Sequence, residues 1–388
     1  MYDVLIIGGG VIGLSLAWEL AKRGRSVHVI DQGQPGREAS WAGAGILPPA
    51  TLRPGDHPLD QLRGLACALH PRWAAELQEL TGIDTGYRRC GGLYLASTPG
   101  EAAALAAWAG TLAEEGIEVA RLSEIDLAEL EPGLQPTGSG AEYSVLSTQY
   151  LVPGTRARSA SPVAYLLPTE AQLRNPRHLS ALLAACDRTG VVITPNIATT
   201  DLVLRCGEPI ALNTAAGPLS ARQFCFTAGA WTGQILQRLG IATGILPIRG
   251  QIVLFHTDRP PISSIVNVGS RYLVPRDDGY VLAGSTEEEV GFDKRTTEEA
   301  IAELTAFARD LVPALRDAVV ERSWAGLRPG SFDGLPYLGP LPGLKNAFVA
   351  AGHFRTGLFL SPATAVIMSQ LLLGEQPQID LAPFRVGR

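Results

Sequence analysis

The hydrophobic pattern changes period several times along the chain. Residues 3–7 (DVLII) are a short apolar run ending on glycine, LSLAWELAKRG repeats apolar positions at helical spacing, and SVHVID returns to a strand pattern. This predicts a βαβ unit. Farther on, CGGLYLAST reads as a strand, PGEAAALAAWAGTLAEEG as a helix and GAEYSVLS (140–147) as a short strand. PRHLSALLAACDRTG is expected to be a helix capped by Asn175, followed by the strands VVITP and QFCFTAGAW. Four runs between 246 and 286, GQIVLFHT, SIVNV, SRYLVPRDDG and YVLAGST, predict an antiparallel sheet whose last two strands are joined by the turn signal Asp277-Asp278-Gly279. A helix (EEAIAELTAFARDLVP) and a final strand and helix (NAFVAAG and SPATAVIMSQLLLG, joined through GHFRTG) complete the pattern. Residues 149–162 (QYLVPGTRARSASP) have no period and read as a mobile surface excursion, with a lid as the alternative.

The βαβ unit carries Gly8-x-Gly10-x-x-Gly13 where strand turns into helix, and Asp31 ends its second strand. The spacing has a mechanical reason: Gly8 permits the tight turn, Gly10 lets a pyrophosphate approach the backbone, and Gly13 with Ala17 lets the helix lie close to the sheet while its first amides face the anion. Asp31 would accept hydrogen bonds from a ribose, and its charge argues against a 2'-phosphate. A dinucleotide is implied, with FAD and NAD both open and NADP disfavoured. The small residues Ser40, Ala42, Gly43, Ala44 and Gly45 would let backbone pass close to that ligand, with Ser40 capping a helix start.

Composition narrows the partners. The 388 residues carry a net charge of -6, which argues against nucleic acid. Five scattered cysteines without a C-x-x-C pair (Cys67, Cys90, Cys186, Cys206, Cys225) read as reduced core thiols. The apolar opening is broken by four glycines and lacks a basic leader, and the stretch from Leu358 to Leu373 is interrupted by Pro362 and Gln370. The expectation is a cytoplasmic protein without membrane insertion. The six histidines form no triad or metal-ligand spacing, so hydrolase and metal chemistry have little support. Near the end, GLRPG places Arg328 among rigid and small neighbours, a turn on which a guanidinium would either be solvated or grip a planar carboxylate.

The set of G8-x-G10-x-x-G13, ASWAGAGIL (39–47), AQLRNPRHL (171–179), TAGAW (227–231), YLVPR (272–276), GLRPGSFDGLPYLG and AGHFRTG resembles the D-amino-acid oxidase family of FAD-dependent amine oxidoreductases over nearly the whole chain, and within it the enzymes that act on glycine. The resemblance implies non-covalent FAD, oxidation of glycine, other small amines or D-amino acids to imines, O2 reduced to hydrogen peroxide, a homotetramer, and a supply of iminoacetate for the thiazole of thiamine. It assigns the substrate carboxylate to Arg328 and Tyr272, and places Arg355 beside the flavin with its backbone toward the amine. The cofactor would be lined by Gly8, Gly10, Val11, Ile12, Gly13, Asp31, Ser40, Ala42, Gly43, Gly45, Ile46, Ile197, Ala228, Gly229, Trp231, Gly352, His353, Arg355, Thr356 and Gly357. Two positions depart from the family: Glu287 stands where it can have an apolar residue over the site, and Ser270 where it can have a histidine. Glu287 is expected to point to solvent, with attraction of a second amine as the alternative. A dehydrogenase that passes electrons to a quinone or protein, and a catalytically silent FAD-binding protein, share this pattern.

The fold expected is α/β: a discontinuous Rossmann-like FAD-binding domain (1–84, 172–245 and 326–388) and a substrate domain (85–171 and 246–325) built on a mainly antiparallel sheet with flanking helices.

Overall fold

A computed structural model of the chain describes residues 1–135, 163–205, 208–214 and 217–388. The strand expected at 140–147 and the aperiodic loop at 149–162 lie outside the described residues, as does Cys206. In chain order the larger elements are β1 (Tyr2–Ile7), α1 (Val11–Lys22), β2 (Val27–Ile30), α2 (Ala39–Ala42), α3 (Pro58–Thr81), β3 (Gly92–Ala96), α4 (Pro99–Glu114), β4 (Val163–Leu167), α5 (Asn175–Arg188), β5 (Val192–Thr194) and β6 (Gly217–Phe226). They continue with β7 (Leu246–His256), β8 (Ile265–Val268), β9 (Arg271–Pro275), β10 (Tyr280–Gly284), α6 (Glu298–Leu311), β11 (Val319–Gly330), β12 (Ala347–Ala351) and α7 (Gly357–Leu372).

The first sheet has a parallel centre in the order β12, β6, β1, β2, β5. Both faces of its centre are covered, and β2 and β12 are buried at every position, His28 included. Helices α1, α3, α5 and α7 cover one side around Leu14, Trp18, Leu62, Trp73, Leu182 and Leu360. Helix α7 starts at Gly357, four residues before its expected Ser361, and takes Pro362 inside. The Leu358 carbonyl that Pro362 leaves without an amide partner accepts instead from the Ser361 hydroxyl at 2.9 Å. Among the described residues no helix is long and apolar enough to cross a membrane.

The second sheet is mixed and mainly antiparallel, in the order β11, β7, β10, β9, β8, β3, β4 and a short edge strand at Ala120–Leu122. Alternation along its strands splits the side chains. One face, with Val253, Phe255, Val266, Leu273 and Val281, packs on Leu304, Phe307 and Leu311 of α6. The other face carries a row in register across six strands, Tyr94, Asn267, Tyr272, Gly284, Ile252 and Trp324.

Three local expectations are corrected. Arg328 is on no turn: it lies in β11, paired with Ile248, and Pro329 stands opposite Pro247, so the two missing donors fall on a single rung. Ser40 caps no helix of its own, since Glu38 is the cap residue of α2; its hydroxyl accepts from the Val11 amide at 2.9 Å and so caps α1. Asn175 is the first residue of α5, and its amide donates at 2.7 Å to the Ser40 carbonyl.

Candidate functional site

A cavity of about 670 Å³ runs from the tips of β1 and β2, past the first turns of α1 and α7, to the second sheet's Tyr94–Trp324 face. Its nucleotide end is built by glycines that have no room for a side chain. Gly8, at φ +114°, would put a Cβ 2.6 Å from the Thr227 carbonyl, and Gly13 would put one 2.0 Å from the Gly8 carbonyl. Gly13 thus sets the approach of α1 to β1 and does not itself line the cavity; Gly8, Gly10, Val11 and Ile12 do. The Asp31 carboxylate lines it too, accepting from the Gly9 and Gly33 amides at 2.7 and 2.8 Å, with lone pairs left over for a ribose hydroxyl. These features fit a dinucleotide: a glycine-rich helix start faces the space where phosphates would lie, and an acidic strand end flanks it.

The middle of the cavity is lined by Ser40, Ala42, Gly43, Gly45, Ile46, Ile197, Ala228, Gly229 and Trp231, and by His353, Thr356 and Gly357 at the start of α7. Gly45 (φ +78°) has no room for a Cβ, which would fall 2.0 Å from the Leu173 carbonyl. Gly352 does not line the cavity; at φ +80° it turns the chain between β12 and the helix. Beside it Phe354, at φ +49°, is one of two non-glycine residues with positive φ among the described residues. His353 is buried, its Nε2 lies 3.1 Å from Thr364 Oγ1, and burial lowers its pKa to about 3, so the ring is neutral.

The far end holds Arg328 and Tyr272. Two glycines on neighbouring strands make the space: a Cβ on Gly250 would meet Arg328 Nη1 at 2.2 Å, and one on Gly284 would meet the Tyr272 hydroxyl at 2.6 Å. Arg328 donates from Nη2 to Ser285 Oγ at 2.7 Å and from Nη1 to the Thr286 carbonyl at 3.1 Å. Among the described residues no carboxylate lies within 4.0 Å to form an ion pair with it. Burial pulls its pKa below the ordinary guanidinium value, and the adjacent Tyr272 hydroxyl acts the other way. A half-buried cation that meets only neutral acceptors is electrostatically prepared for an anion. Arg355 sits at the mouth with its side chain 41% exposed, 3.6 Å from the Glu287 carboxylate. Glu287 is itself 51% exposed, and Ser270 is exposed between β8 and β9; neither lines the cavity.

The family model described as FAD dependent oxidoreductase (DAO) matches residues 3–371. The chain belongs to this FAD-dependent oxidoreductase family. It is 35% identical to "Glycine oxidase" of Pseudomonas putida, with 98% of this chain and 97% of that one covered. It is 28% identical to "Bifunctional protein ThiO/ThiG" of Trichormus variabilis, which it matches over 100% of its own length and 55% of the other's. The crystal structure of glycine oxidase from Geobacillus kaustophilus superposes with a TM-score of 0.89 at 32% identity, covering 100% of this chain and 98% of that one. FAD is therefore the dinucleotide, which settles the choice that the glycine motif leaves open.

In this member of the FAD-dependent family several residues that line or shape the cavity escape a reading of the sequence alone. Gly250 and Gly284 carry a usable signal, a lone glycine inside a strand pattern, which marks a close approach. Tyr94 and Asn267 carry none, because only the register places them beside Tyr272. Among the described residues no cluster of three or more His, Cys, Asp or Glu could hold a metal ion.

Proposed function

We propose that the chain oxidises glycine and other small amines or D-amino acids at the Arg328–Tyr272 end of the cavity, with O2 as electron acceptor. The observation that carries this reading is Arg328, mounted on β11 over Gly250 with its donors on a hydroxyl and a carbonyl and no ion-pair partner among the described residues. A carboxylate would accept two parallel hydrogen bonds from such a guanidinium, and Tyr272 stands where it would donate a third. FAD, when bound, supplies acceptance of the substrate's Cα hydride and reduction of O2 to hydrogen peroxide. Gly8, Gly10 and the first turn of α1 would hold the pyrophosphate without a covalent link, Asp31 the ribose, and residues 42–46 and 353–357 the ring system. The chain's task at the reacting end is to anchor the carboxylate, so that a small amine presents one orientation. The imine product is hydrolysed to the 2-oxo acid and ammonia or, as iminoacetate, feeds thiazole formation for thiamine.

Support comes from the Pseudomonas putida relative named glycine oxidase, at 35% identity over almost the full length, and from the ThiO/ThiG relative. We assign the cofactor to residues 1–84, 172–245 and 326–388 and the substrate to 85–171 and 246–325, with the last residues of β11 reaching between the two. The tetramer and the cytoplasmic compartment belong to the same proposal. The test is peroxide release on glycine, sarcosine, D-alanine, D-proline and a few diamines. Peroxide from glycine or its small relatives, lost in Arg328→Ala, is the expected result; an Arg328→Ala protein with an unchanged glycine KM would overturn the reading.

A further inference from the structure

Among the described residues, four arginines line the cavity. Arg37 and Arg238 belong to its nucleotide end: Arg37 follows Gly36, whose amide donates to the Gly9 carbonyl, and Arg238 donates to the Thr199 carbonyl at 3.4 Å. The cations of the reacting end are Arg328 and Arg355. Arg328 meets only neutral acceptors, whereas Arg355 already faces an anion, the Glu287 carboxylate at 3.6 Å. One peptide link joins the two places. The Thr286 carbonyl accepts from Arg328 Nη1 at 3.1 Å, and Glu287 is the next residue. The charges of the pair are felt at the anchor: after burial and Tyr272, the next influences on Arg328 are Arg355, which lowers its pKa, and Glu287, which raises it.

The pair is mounted on ordered backbone. Thr286 Oγ1 accepts from the Gln251 amide at 3.0 Å and donates to Glu288 Oε1 at 2.5 Å, and Glu288 and Arg249 exchange backbone hydrogen bonds of 2.9 and 3.0 Å. Glu287 is thus held from both sides. Arg355 lies in the short turn Phe354–Thr356, where the His353 carbonyl accepts from the Thr356 amide and hydroxyl. Glu288 and Asp293 pair with Arg249, and Lys294 with Glu38, so these charges are engaged elsewhere. Glu287 therefore balances Arg355 and leaves the reacting end one uncompensated cation, Arg328. A substrate with one carboxylate meets that condition. A second carboxylate near the mouth would meet the like charge of Glu287 and a guanidinium that is already paired.

We propose that Glu287, by holding Arg355, confines the site to amines with a single carboxylate, and that Arg355 released from Glu287 takes a second one. The proposal rests on the amine-oxidase reading above and names its substrate class: glycine and neutral amino acids, against dicarboxylates such as D-aspartate or iminodiacetate. Glu287 touches no substrate. It is a positioning residue that acts through Arg355, and its effect is one of charge, so a neutral side chain of the same shape removes it.

The test compares ligands that differ in charge and not in size. Malonate and succinate, dianions at about pH 8, and their monoamides are titrated into the yellow holoenzyme at low salt, where screening is weak, and binding is read from flavin absorbance. The proteins are wild type, Glu287→Gln and the double variant Glu287→Gln/Arg355→Gln; both side chains are half-exposed, so folding is kept. Peroxide release from D-aspartate and D-asparagine supplies the same comparison in turnover. Glu287→Gln is expected to raise dianion affinity relative to the monoamide about 10-fold, and the D-aspartate to D-asparagine ratio of kcat/KM in step, while kcat/KM for glycine changes less than about threefold. In the double variant the gain disappears. A Glu287→Gln protein with the wild-type charge preference would overturn the proposal, and so would a gain that persists without Arg355. A wild type that no amine reduces and no carboxylate binds removes the amine-oxidase reading together with this one. A wild type that binds the monoamides through Arg328, with a charge preference that Glu287→Gln leaves unchanged, removes only the role of Glu287.

Discussion

Substituting Gly250 by Ala adds one methyl group beneath the Arg328 guanidinium and nothing else. The new Cβ would lie 2.2 Å from Nη1, 2.3 Å from Nη2 and 2.4 Å from Cζ, whereas ordinary contact begins near 3.4 Å. The guanidinium must therefore retreat by about 1.2 Å, and a displacement of that size at a positioning group costs roughly 10²-fold in rate. The atoms that yield are the far end of a flexible side chain, so the strand pair of Gly250 with Gly326 survives and the stability loss stays below about 2 kcal/mol. The expected outcome is a folded, yellow protein whose kcat/KM for glycine is about 100-fold lower, with acetate affinity reduced in parallel. In an Arg328→Ala background the same substitution adds little, because both act on one group. Steady-state peroxide release, an acetate titration followed by flavin absorbance and a thermal melt supply the readouts. A folded Gly250→Ala protein with wild-type kcat/KM refutes the claim that Arg328, in this place, grips the carboxylate.

Three further outcomes follow from other parts of the molecule. Tyr272→Phe keeps the ring against Gly284 and removes one donor to a charged group, worth about 1.5–3 kcal/mol, so kcat/KM for glycine falls roughly 10- to 100-fold with little change in Tm, by the same assays. Gly13→Ala puts a Cβ 2.0 Å from the Gly8 carbonyl and 2.6 Å from Thr227 Oγ1, atoms that are not at the end of a flexible chain; α1 shifts, stability falls by about 1–3 kcal/mol and FAD is released, seen as lost visible absorbance per protein. His70, His178 and His353 are buried and lowered by burial to about 4, about 3 and about 3 from 6.5. Because the unfolded chain binds the extra protons, their contribution is complete above pH 6.5 and is lost as pH falls toward 4 and 3, each adding up to about 1.4 kcal/mol per pH unit. Melts from pH 7 down to about pH 4 check this, and a slope that is unchanged in His178→Gln contradicts the assignment.

How far the sequence reveals this molecule depends on the range of the interactions involved. β1, α1 and β2 are legible because period, glycine spacing and Asp31 all lie within one local unit. The antiparallel strands around Asp277-Asp278-Gly279 are legible for the same reason, and Gly279 takes φ +84° there. Arg328 was harder: Pro329 and Gly330 read as a turn, yet β7 supplies Pro247 opposite Pro329, and the strand runs through. Ser40 and Asn175 sit near the helix starts that their residue types favour, but each spends its hydrogen bond on another segment, Val11 and Ser40 respectively. The longest helix, α3, is absent from the elements drawn from the pattern; Gly64 and Pro71 lie inside it, and it is held by burial of Leu62, Leu69, Trp73 and Leu77. Tyr94 and Glu170 are out of reach without register, because 76 residues separate the two ends of their hydrogen bond.

The most direct test of the central claim is a two-stage mixing experiment on the purified yellow protein. Glycine is added without oxygen, and the bleached enzyme is then mixed with aerated buffer. The expected result is bleaching at a rate at least as fast as turnover, abolished in Arg328→Ala, followed by reoxidation in air that keeps pace with turnover and releases peroxide. Bleaching that survives loss of Arg328, or reoxidation far slower than turnover, would contradict an oxidase that holds its substrate by this arginine.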